Sequence, residues 1–97
     1  MATIETLQAV TNAITVHGFS ASLEYPGFVL VHVPNSQQWC VFGTANGDWG
    51  GDVEDAHGIV IDAVPMADTV PGDSTDIDAI VTALVNALTT VTAGTRN

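Results

Sequence analysis

Lysine is absent from this 97-residue chain, and its only arginine, Arg96, is the second-to-last residue. Eleven carboxylates stand against that single base and give a formal charge of -10. Such a surface cannot neutralise phosphate, which excludes DNA, RNA and anionic membranes as direct partners, because arrays of Lys and Arg hold each of them. A basic protein or a cation is favoured instead. Only 12% of the residues are charged, against roughly 25% in ordinary domains. The imbalance therefore comes from missing bases more than from abundant acids. A single cysteine, Cys40, excludes an internal disulfide and a multi-cysteine zinc site. The opening MATIETLQAV has neither a basic n-region nor a long apolar run, so it reads as neither a secretion signal nor a membrane span, and a cytoplasmic location is expected. No glycine-rich strand-to-helix phosphate loop occurs.

What is present is apolar. Hydrophobic residues make up 46% of the chain, far from the signature of disorder, and the length suits one domain over residues 1–97. From Thr3 to His17, Ile4, Leu7, Val10 and Ile14 recur at spacings of three and four and predict a helix, with Thr3 as N-cap and Gly18 as its left-handed stop. Strand-type runs follow at Ser20–Tyr25, Phe28–Val33, Gln38–Ala45, Asp48–Val53 and Ile59–Val64. Pro26-Gly27, Pro34-Asn35-Ser36 and Glu54–Gly58 separate them, and Asn46-Gly47 predicts a type I′ hairpin turn. Gly50-Gly51 signals a bulge or a close backbone approach.

After a linker over Met66–Gly72, Ile77, Ile80, Val81, Leu84, Leu88 and Val91 form the apolar stripe of a second helix, capped by Asp73 or Ser74. Ala93–Asn97 are expected to fray. The fold class is α+β: a two-layer structure in which an antiparallel meander of about five strands carries the N-terminal and C-terminal helices on one face, α-β-β-β-β-β-α.

Carboxylates are densest in Asn46–His57, NGDWGGDVEDAH. As a calcium loop this segment places Asn46, Asp48, Gly50 and Gly51 well, but His57 stands where a bidentate Glu belongs and the flanks read as strands. His17, His32 and His57 lack metal-ligand spacing. Cys40 lies in an apolar strand with no basic neighbour, so it reads as an inert packed thiol and not as a nucleophile with His32. No residue is nominated as catalytic, and neither metal nor cofactor is called for.

With helices on one face only, alternation sends some of Phe19, Tyr25, Phe28, Trp39, Phe42 and Trp49 to the open face. An aromatic patch rimmed by acids has the composition of a protein-binding hot spot. Asp48, Trp49, Asp52, Glu54 and Asp55 form the expected contact cluster, and Asp73, Asp76 and Asp78 a secondary acidic patch. Spaced carboxylates without bases can occupy a site built for phosphates. In that respect the composition resembles the small acidic inhibitors that phages deploy against nucleic-acid enzymes, although no motif ties the chain to a named family. The expected role is a non-enzymatic acidic domain that binds a basic protein. The alternative is a small homo-oligomeric assembly or chaperone-like module that dimerises through the open sheet face.

Overall fold

The computed structural model describes residues 2–24 and 27–95. Tyr25 and Pro26, assigned above to the first strand and turn, and Arg96 lie outside the described residues. Helix α1 spans Ile4–Val16. The Thr6 N–H donates to Thr3 Oγ1 at 3.1 Å, so Thr3 satisfies one of the free donors of the first turn. At the other end Gly18 takes a φ of 97°, and the Phe19 N–H reaches back to the Ile14 carbonyl, as in a Schellman stop. Leu7, Val10 and Ile14 are buried, whereas Ile4, in the first turn, is 55% exposed.

The strands are β1 (Ala21–Glu24), β2 (Phe28–His32), β3 (Trp39–Gly43), β4 (Gly50–Glu54) and β5 (Val60–Ala63). They form one sheet in the order β1-β2-β3-β4-β5, every neighbour antiparallel. Helix α2 spans Ile77–Thr95. Burial follows a single phase across the sheet: Val29, Val31, Cys40, Phe42 and Val53 are buried with α1 and with Ile80, Leu84 and Leu88 of α2 in one core. Each of these apolar side chains contributes roughly 1.5–3 kcal/mol on leaving water. Because all the buried sheet positions share one phase, both helices cover the same face and the other face is left open.

Three local readings are corrected. Asn46-Gly47 does not form a type I′ turn, since Gly47 has a φ of 93° but Asn46 is not left-handed. The connection runs from Thr44 to Trp49 and docks on the later linker: the Trp49 N–H donates to the Val70 carbonyl, and the Gly72 N–H to the Gly47 carbonyl. Pairing with 70–72 thus replaces the two-residue turn. The α2 cap is Asp76, whose Oδ1 accepts the Ala79 N–H at 3.1 Å, while Ser74 Oγ accepts the Asp76 N–H one step earlier. Finally, Ala93 to Thr95 continue the helix. By length and composition Ile77–Gly94 could cross a membrane; here Ile80, Val81, Leu84, Leu88 and Val91 are buried in the core.

Candidate protein-binding face

The open face is built from cross-strand rows. Ser22, Leu30, Val41, Asp52 and Ala63 lie opposite one another from β1 to β5, and beside them run His32, Trp39, Glu54 and Val60. In a third row Glu24 faces Phe28. The Phe28 ring lies across Gly43, where an added Cβ would come 2.9 Å from the ring. The middle of this face is therefore apolar and aromatic, and Phe28, Leu30, Trp39 and Val41 are each half-buried. Acids close it on both sides, with Glu24 on β1 and Asp52 and Glu54 on β4.

Beside Phe28 the glycines leave a shallow depression of about 160 Å³, floored by Val41, Gly43 and Gly50 and edged by Asn46, Asp48 and Asp52. Asp48 and Asp52 are exposed and Glu54 is half-buried. Among the described residues there is no lysine or arginine to neutralise them.

The expected cluster is brought together only in part. Asp48, Asp52 and Glu54 share the open face. Trp49 does not join them, because it is 2% exposed and lies in the core. The main-chain bond to Val70 draws it inward, and its indole Nε1 is buried with no hydrogen-bond partner among the described residues. Trp39 is the tryptophan of the open face, meeting His32 edge-on. Sequence reasoning named the wrong one, yet parity carried the signal: Trp49 is in phase with buried Val53, and Trp39 with Val41, opposite to Cys40 and Phe42.

Asp55 also leaves the cluster. It opens the β4–β5 hairpin, where the Gly58 N–H donates to the Asp55 carbonyl and the Asp55 N–H to that of Ile59. Gly58 supplies the left-handed residue of this three-residue loop at a φ of 78°. The Ile59 and His57 N–H groups both donate to Asp55 Oδ1, and these bonds hold its carboxyl below the ordinary aspartate value.

A cleft of about 910 Å³ lies on the helix side of this hairpin, between Asp55, His57, Ile61 and Asp62 and the last turns of α2 at Val91 and Gly94. Sequence reading missed it. The secondary patch stands at the start of α2, where Asp76 is committed to capping and Asp73 and Asp78 are exposed. Cys40 is buried, and burial pushes its thiol up to about 11. His32 is half-exposed beside Trp39. Segment 46–57 is a turn, a strand and a hairpin. Among the described residues no three His, Cys, Asp or Glu side chains are grouped to hold a metal ion.

No family model matches the chain, and no curated protein or solved structure matches it.

Proposed function

We propose that this chain is a non-enzymatic acidic binding domain of the cytoplasm that takes a basic, nucleic-acid-handling protein onto the open face of its sheet. The observation that carries the reading is the half-buried strip of Phe28, Leu30, Trp39 and Val41, bounded by Glu24, Asp48, Asp52 and Glu54 with no lysine or arginine among the described residues. Aromatic anchors at the centre of a patch supply most of the binding energy, while rim charges steer and orient the partner. Carboxylates spaced along a strand present negative charge to a surface that would otherwise meet phosphate. The domain then acts as an inhibitor or nucleic-acid mimic by occupying the basic site, and it needs no cofactor.

The test is capture on the immobilised domain from a lysate of the source cell, followed by competition with duplex DNA and with RNA. A captured protein that binds nucleic acid by itself, and that duplex DNA or RNA displaces from the domain, supports the reading. A captured protein whose binding is indifferent to both competitors would count against it.

The same apolar strip supports a second reading, a homodimer through the open face serving assembly or chaperone-like work. Sedimentation separates the two, because a dimer persisting unchanged from low to high salt favours the second.

A further inference from the structure

We infer that β5 is a docking edge, to which an extended segment of the partner carrying alternating basic and apolar side chains adds as a sixth strand. This rests on the reading that the partner is basic. β5 ends the sheet, and among the described elements its main neighbour is β4, whereas β1 at the opposite edge packs against α1. Among the described residues the large hydrophobic side chains that stand exposed include three in succession here, Ile59 at 60%, Val60 at 55% and Ile61 at 50%. An apolar free edge of this kind is a template for strand addition, and sheet proteins normally blunt it with lysine, proline or bulges.

β5 has no lysine or proline, and its protection is slight. Its register skips between Val53 and Glu54, leaving Ile61 as the extra residue. The other protection is a single carboxylate. The Val64 N–H donates to the Gly51 carbonyl, so the main chain of the preceding residue, Ala63, turns away from β4. That outward Ala63 N–H donates to Asp62 Oδ1 at 2.8 Å.

Charge decides the occupant. Asp62 and Asp55 line the cleft beside β5 on the helix side, while Val60 and Ala63 lie on the open side. An added strand would thus meet carboxylates on one of its faces and apolar groups on the other, which is the alternation stated. A second copy of the chain would bring another -10 to the same edge. When a basic side chain engages Asp62, the Ala63 N–H is released to the incoming strand.

The probe is an eight-residue peptide of alternating Lys and Val, compared with an N-methylated version of equal charge. Amide shifts and hydrogen exchange are followed by NMR on the full chain. The expected result is binding that protects the Ala63 amide and shifts β5 and its hairpin, with about tenfold weaker binding of the N-methylated peptide. Ala63→Pro, which removes the outward donor and leaves the β4 ladder in place, should lose affinity to a similar extent. Equal binding of the two peptides would overturn the inference. Shifts confined to Trp39, Val41 and Asp52 would overturn it while leaving the acidic-face reading standing. Absence of binding would overturn it as well, with the acidic-face reading still decided by capture and competition, and dimerisation through β5 would overturn it by replacing the basic segment with a second copy.

Discussion

The Trp39 indole and the His32 imidazole meet edge to face on the uncovered side of the sheet, their ring centroids 5.0 Å apart at an interplanar angle of 68°. The two residues are direct cross-strand partners. Trp39 thereby stands half-buried outside the core while Trp49 lies within it, and on the proposed function Trp39 is the anchor for the partner.

Trp39→Ala should leave most of the stability intact and weaken partner binding by about 2 kcal/mol or more. Trp49→Ala should cost about 3–5 kcal/mol of folding free energy by emptying a core site. Trp49→Phe should fall well short of that loss, since it also removes the buried indole N–H that has no partner among the described residues. Urea unfolding of the three variants, with binding measured on those that fold, checks the division. A Trp39 variant destabilised as much as the Trp49 one would contradict it.

Adjacent glycines on β4 should respond differently to alanine. A Cβ at Gly51 would stand 2.5 Å from the Val41 carbonyl oxygen and 3.0 Å from Phe42, whereas at Gly50 it would meet nothing within 4 Å. Gly51→Ala is expected to cost about 1–3 kcal/mol by forcing β3 and β4 apart. Gly50→Ala should change stability little and instead fill the depression beside Asp48 and Asp52. Thermal melting of the two variants is the check, and equal melting temperatures would show that the sheet yields at Gly51.

Asp55 links the hairpin to pH. Its folded-state pKa lies below the ordinary value because the Ile59 and His57 N–H groups favour the carboxylate. The unfolded chain therefore binds a proton at a pH where the folded chain does not. The contribution is present above the unfolded value and is lost as pH falls through the folded one. Asp55→Ala should remove this part of the acid dependence and loosen the hairpin, which amide exchange at His57 and Ile59 reports as the pH is lowered past about 4. Unaltered exchange at both amides would contradict the assigned bonds.

Most of the architecture was legible because its signals are local. The apolar stripe from Ile77 to Val91, the Thr3 and Gly18 boundaries of α1 and the apolar, valine-rich run from Phe28 to Val33 each depend on near neighbours in sequence. The failures arose where distant segments meet. Nothing near Asn46-Gly47 shows that Val70 and Gly72 will claim its main chain, and with that contact unseen Trp49 reads as an exposed contact residue of the Asp48–Val53 strand. Asp76 won the cap from Asp73 and Ser74 because the helix begins at Ile77, a boundary that several polar residues in a row leave open. The cleft beside β5 is assembled from 36–38, the hairpin and the end of α2, three segments with no pattern in common.

Binding through the acidic open face is tested by the affinity of the captured partner for the wild-type chain and for the triple variant Asp48→Asn, Asp52→Asn, Glu54→Gln. Both are titrated at low and high sodium chloride. All three carboxylates lie on the open face and none caps a helix, so the variant should keep its fold. The expected result is affinity at least about tenfold weaker for the variant at low salt. The difference should shrink as salt screens the wild-type complex over a Debye length of about 10 Å or less. Equal affinity of the two proteins at both salt concentrations would contradict the claim.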